Sequence, residues 1–201
     1  MVSVTLADSV AVPLLSAVAD VGGEVFTRPP WREPYAQART VAARLLADSA
    51  RPGFVLAVAR QGHEVVGFAY GYRCSALAAT AARPCGADFT LKELGVLPDF
   101  RGLSIGVALH DQVLAASGGG PWWLITHVNA TAALGLYHRR GWQAVSRHPT
   151  DTTRIIMRKA VPSPPPWPLL TSSCRNLREP LAAGNRLLCR AEPSGTVART
   201  L

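Results

Sequence analysis

The run "FTLKELGVL", residues 89–97, is strand-like and apolar; it stops at Pro98 and passes through a short basic turn into a helix. The helix is predicted from about Ser104 to Ala116, where Ile105, Ala108, Leu109, Val113 and Ala116 recur at helical spacing. A strand that feeds directly into an amphipathic helix leaves few folds open, and the layered α/β class is the first of them. The junction also carries chemistry. A helix N-terminus exposes about four amide groups without intrahelical acceptors, at the positive end of the helix dipole. Arg101 begins the turn, and Gly102 and Gly106 let an anion approach the backbone. The stretch therefore reads as an anion cradle at the end of a strand, suited to a pyrophosphate. Two phosphate motifs are excluded, since neither G-x-x-x-x-G-K-[ST] nor G-x-G-x-x-G occurs.

The remainder of residues 1–161 alternates between strand and helix patterns. "VSVTLA" predicts a first strand, and Val12–Val25 and Tyr35–Ser49 predict helices separated by "TRPPWREP". "GFVLAVARQGHEVVGFAYGYR" predicts a hairpin turning at Gln61-Gly62-His63. "WWLITHV" predicts a strand, "TAALGLYHRR" a helix closed by Gly141, and "TRIIMRKA" a last strand. Composition changes at "VPSPPPWP", and residues 162–201 read as a Pro-rich linker followed by a poorly ordered extension. The expected organisation is one α/β domain over 1–161 with a C-terminal tail.

Composition narrows the function class. No apolar run is long enough to span a bilayer, and no basic segment precedes an apolar core at the N-terminus, so a cytoplasmic protein is the expectation. Cys74, Cys85, Cys174 and Cys189 lie far apart with no CxxC pair, which argues against a disulfide framework or a zinc site. His63, His110, His138 and His148 show no metal-ligand spacing, and no metal is assigned. The net charge of +8 favours anionic partners. Its arginines are dispersed rather than clustered with aromatics, which makes nucleic-acid binding a weak reading, and a phosphate-rich small molecule fits the charge equally well.

The segment Arg101-Gly102-Leu103-Ser104-Ile105-Gly106, after "ELGVLPDF", resembles the GNAT superfamily of N-acetyltransferases, whose signature there is [QR]-x-x-G-x-[GA]. Ser104 stands where that family usually has glycine; a serine there can cap the helix or donate its hydroxyl to a phosphate. "ALGLYHRRGW" is similar to a second signature of the family, in which Tyr137 precedes Gly141-Trp142 by four residues. Asn129 lies one position from the family's usual asparagine. "VFTRPPWREP" with the hairpin resembles an actinobacterial-type subgroup distantly similar to aminoglycoside acetyltransferases, and the likeness covers roughly residues 10–160.

The resemblance implies a mixed, mostly antiparallel sheet, flanked by helices and splayed between its fourth and fifth strands. It implies acetyl-CoA as acetyl donor, with the pantetheine arm along Leu94, Gly95, Val96 and Leu97 and the diphosphate on Leu103, Ser104, Ile105, Gly106 and Val107 beside Arg101 and Gly102. Asn129 is a further cofactor candidate, and Arg139 or Arg140 either approach the 3′-phosphate or are solvated helix-end residues. Tyr137 is the candidate acid for the leaving thiolate, with a core aromatic as the alternative, and Glu93 or His127 the candidate base. Phe26, Trp31, Glu33 and Asp88 are the candidate acceptor-binding residues. The implied reaction is direct acetyl transfer to a primary amine of a small molecule or peptide in a ternary complex. A non-catalytic CoA-binding or protein-interaction domain is the alternative, and a homodimer stays open.

Overall fold

A computed structural model describes residues 1–160 and 199–200. Seven strands form one sheet: β1 (Val2–Leu6), β2 (Val55–Gln61), β3 (Glu64–Arg73), β4 (Phe89–Val96), β5 (Trp122–His127), β6 (Gln143–Arg147) and β7 (Arg154–Lys159), in the order β1-β2-β3-β4-β5-β7-β6. Every neighbouring pair in that order is antiparallel except β4 and β5, which are parallel. An eighth short strand, β8 (Arg199–Thr200), runs parallel to β4. Of the predicted tail, only β8 lies within the described residues.

Helices cover both faces. On one side α1 (Val12–Phe26), α2 (Tyr35–Arg39) and α3 (Val41–Asp48) bury Leu14, Val18, Val21, Val25, Val41 and Leu45 against Leu56, Val58, Phe68 and Tyr70 of the central strands. On the other, α5 (Ile105–Ala116) and α6 (Thr131–Arg139) bury Ile105, Leu109, Val113, Ala133 and Tyr137 against Leu91, Leu94, Val96 and Leu124. The short α4 (Ala76–Thr80) packs Ala78 with Trp123, Ile125 and Ile156. Strand alternation explains the division, because successive β5 residues Trp123, Leu124 and Ile125 point to opposite layers.

β4 explains where the sheet opens. Its register with β3 matches Glu93 to Tyr70 and Leu91 to Gly71, so Lys92 is the extra residue of a β-bulge. A bulge bends its strand and increases the local twist. β4 pairs with β5 only at Phe89–Trp122 and Thr90–Trp123, and beyond this point the two strands diverge. Leu97 N–H donates to Val66 O on the β3 side, so alternation turns the backbone groups of Leu94 and Val96 the other way, into the gap. A parallel pair joined by a helix, with its two strands splayed at their C-terminal ends, is a place for a ligand.

Several predicted elements need correction. The single helix over Tyr35–Ser49 is two, because Thr40 turns its hydroxyl back onto Gln37 O at 2.7 Å and competes with helix continuation. Strand β6 was not anticipated; "QAVSR" is half-exposed at the sheet edge and lacks an apolar alternation. Neither was α4. The predicted helix start at Ser104 moves to Ile105, and the Ser104 side chain makes no capping hydrogen bond.

Candidate functional site

At the open end of the gap lies a cleft of about 880 Å³. Its walls are the end of β4 at Val96, the turn and first residues of α5, the end of β5 at His127, the start of α6, and the loop Pro29–Arg32. The α5 wall is built as an anion receptor. Its first helical hydrogen bond into the turn is Ala108 N–H to Ser104 O at 3.0 Å, so the amides of Ile105, Gly106 and Val107 have no i−4 helical acceptor. Gly102 and Ser104 both sit in the left-handed region, at φ +77 and +59, which shapes the turn that exposes these amides. A side chain at Gly102 would meet nothing within 4 Å, so the approach is open.

Two cationic groups reinforce the receptor. Arg101 and Arg139 both line the cleft. Burial, and then the nearby charge of Arg28, lower the Arg101 pKa. Both effects disfavour the charged guanidinium, and an anion bound beside it would offset them. The residues present therefore fit a diphosphate-bearing ligand on a chemical ground independent of any resemblance.

Of the sequence-predicted residues, the cleft brings together Trp31, Val96, Arg101, Gly102, Ser104, Ile105, Gly106, Val107, His127 and Asn129. Leu94, Gly95 and Leu97 lie deeper or behind on the β4 strand line, with Leu94 in the core, and Leu103 is exposed at the turn. Phe26 is fully buried beneath Trp31, with ring centroids 6.2 Å apart. Trp31 in turn meets the His127 ring edge-on at 5.7 Å and carries the Arg154 guanidinium over its face at 4.7 Å. Glu33 N–H closes the loop onto Phe26 O at 3.0 Å, and the Glu33 charge acts on Arg154. Asp88 lies outside the cleft lining, where its carboxylate accepts from Trp123 Nε1 at 2.8 Å and Gly86 N–H at 2.9 Å.

The three candidate proton-transfer groups occupy different environments. Glu93 is fully buried and accepts from Arg44 Nε at 2.9 Å through Oε1. His127 is partly exposed, and its Nδ1 accepts the Asn129 N–H at 3.0 Å, which puts the ring proton of the neutral form on Nε2. Burial, and then the Arg154 charge, lower the His127 pKa against a smaller opposing effect of Asp151. Tyr137 is buried on α6 beside cleft-lining Leu136, and burial raises its pKa far above the ordinary phenol value. Its ring packs against Trp142 at 5.8 Å and His110 at 6.2 Å.

Sequence reasoning missed Arg44, Arg154 and the His110–Trp142 pair. Arg44 lies beside Val41 and Leu45 on a buried helix face, where an ionised residue needs a partner, and that misfit was a readable signal. Arg154 faces His127 through the β5–β7 register, a pairing between strands distant in sequence that no local pattern carries. His110 accepts from Trp142 Nε1 at 2.9 Å through Nε2 and meets Asp111 Oδ1 at 2.7 Å through Nδ1.

The comparisons with known proteins agree with this geometry. The family model described as an acetyltransferase (GNAT) domain matches residues 52–144. Solved structures with the same fold include the ribosomal-protein-S18-alanine N-acetyltransferase from Escherichia coli, 17% identical, covering 81% of this chain and 96% of that one with a TM-score of 0.56. An aminoglycoside 6′-N-acetyltransferase complexed with coenzyme A is 17% identical, over 81% of this chain and 99% of that one, with a TM-score of 0.58. The PaiA N-acetyltransferase from Thermoplasma acidophilum, also in complex with coenzyme A, is 15% identical over 79% and 99%, with a TM-score of 0.56. No curated protein sequence matches the chain.

Proposed function

We propose that the chain, whose residues 52–144 match the acetyltransferase (GNAT) domain model, is an acetyl-CoA-dependent N-acetyltransferase acting on a primary amine of a small molecule or peptide. The observation that carries this reading is the cradle of Ile105, Gly106 and Val107 amides, flanked by Arg101, at the mouth of the β4–β5 gap. Two of the structural relatives were crystallised with coenzyme A, which supports the choice of ligand. When bound, acetyl-CoA would supply a thioester whose C–S bond is exchanged for an amide C–N bond.

The chain's own residues then divide the work. The α5 amides, Arg101 and Arg139 hold the diphosphate and neighbouring phosphate charge, each well-placed charge–dipole contact contributing about 0.3–1 kcal/mol. The backbone of Leu94 and Val96 would hold the extended arm, and Asn129, at the cleft wall, would offer a further hydrogen bond to it. Tyr137 would donate the proton to the leaving sulfur, its phenol being protonated at neutral pH as an acid must be. Glu93 receives the amine proton; it is an acceptor-only carboxylate held in place by Arg44. His127, with Nδ1 already accepting, offers Nε2–H as a donor that orients the acceptor. Phe26, Trp31 and Glu33 shape the acceptor side.

Calorimetry with acetyl-CoA, followed by thiol release across a panel of amines, tests the reading. Binding and turnover are expected, and Gly106→Asp, which sets a negative side chain at the cradle, is expected to remove the binding heat. An absence of heat from the unaltered chain would overturn the assignment. Binding without turnover of any amine would reduce it to a CoA-binding domain.

A further inference from the structure

A sheet edge that leaves its neighbour presents unpaired backbone groups, and such edges recruit strands. β4 has that edge beyond Thr90, on the side facing β5. It is filled. β8 lies between β4 and β5, against both, and pairs in parallel with Glu93 and Leu94 of β4. The strand that fills it is the chain's own C-terminal end, Arg199–Thr200.

We propose that the open edge of β4 is a strand-docking site whose occupant is the C-terminal strand, and that this strand competes with the acyl carrier for the gap. The inference rests on the acetyl-CoA reading, because it is that ligand whose arm requires Leu94. The backbone of Leu94 faces the gap by strand alternation, and the same residue is matched to Thr200. One backbone edge cannot serve two partners. The carrier therefore enters fully only when the C-terminal strand has left. The chain between Ala160 and Arg199 is long enough when extended to reach any point on the domain. Being tethered, the strand competes at every protein concentration, so even a short contact has an effect. Occupancy lowers the carrier's apparent affinity by the fraction of molecules whose gap is empty.

The test compares the full-length chain with Thr200→Pro and, separately, Arg199→Pro. Proline lacks the N–H and fixes φ, so it disrupts a short strand that pairs through its backbone. A thermal transition checks that each variant folds. Titration with CoA is expected to show roughly three- to tenfold tighter binding in the variants, which corresponds to about two-thirds to nine-tenths occupancy in the parent. Hydrogen exchange without ligand is expected to quicken at the Leu94 amide in both variants. Equal CoA affinity and equal exchange in all three chains would overturn the competition while leaving the acetyl-CoA reading intact. No CoA heat from any of them would overturn both, and the exchange measurement would still report whether the strand docks.

Discussion

Ser104 holds a conformation that favours glycine, at φ +59 and ψ +11, with no hydrogen bond from its side chain to the helix it precedes. A side chain in this region costs about 1–2 kcal/mol, and glycine loses about 0.5–1 kcal/mol through its freer unfolded state. Ser104→Gly is therefore expected to stabilise the fold by up to about 1 kcal/mol, seen as a higher urea midpoint at unchanged slope. The signature position was legible in the sequence, but the expected capping role was not fulfilled, because backbone angles decide whether a hydroxyl reaches an amide. Glu93 presents a different balance. It is fully buried against Arg44, and removal of one partner of a buried pair typically costs about 3–5 kcal/mol. Glu93→Gln should lower stability by an amount on this scale in chemical denaturation. Arg44→Met with Glu93→Leu should recover most of it, since replacing both partners leaves no buried charge. Turnover should stay lost in the double variant if Glu93 takes the amine proton.

At the scale of elements, α6 delivers Tyr137 to the core between Trp142 and His110. No hydrogen bond to the Tyr137 hydroxyl occurs among the described residues, and burial alone accounts for its raised pKa. Tyr137→Phe is accordingly expected to change stability by less than about 0.5 kcal/mol while slowing acetyl transfer about a hundredfold. Equal losses in both would mark the tyrosine as a packing residue. On α5, His110 accepts from Trp142 and must stay neutral to do so, because a second ring proton would face an N–H. Burial lowers its pKa below 6.5, Lys159 and Arg140 add to this, and Asp111 opposes it. In the window below that value the unfolded chain binds more protons than the folded one. Stability from this group is thus complete above about pH 6.5 and lost as pH falls through the window. His110→Gln should flatten the acid side of a stability–pH profile, leaving a share of the same sign from His127. The elements that could be read were those with a local signature, such as the β2–β3 hairpin with Gly62 at φ +61 and the end of α6 with Gly141 at φ +79. Strand β6 and the break at Thr40 escaped, since one depends on an edge position and the other on a hydroxyl turning back on its own helix.

Across the whole molecule, a net charge of +8 and a cleft bearing Arg101 and Arg139 predict electrostatic attraction for a polyanionic ligand. Raising the ionic strength toward about 1 M shrinks the screening length to about 3 Å, so CoA association measured by stopped flow should slow steadily with salt. A salt-independent rate would show that contact at the cradle, rather than long-range field, governs capture. The two-faced α/β architecture was legible because its central strand, turn and helix are contiguous in sequence. The floor of the cleft was not, since His127 meets Arg154, and β4 meets β8, across long stretches of chain.

Lys92 shows how little sequence such a design needs. It is one residue more than β3 can match. Take it away, and Leu91 and Glu93 would become neighbours in an unbroken alternation, each keeping its face, Leu91 toward the α5 layer and Glu93 toward Arg44, but the bend in the strand would be lost. The straightened ribbon would also be free to zip onto β5 along its length, leaving no berth for a guest. A lone surplus lysine thus settles whether the molecule has an interior harbour.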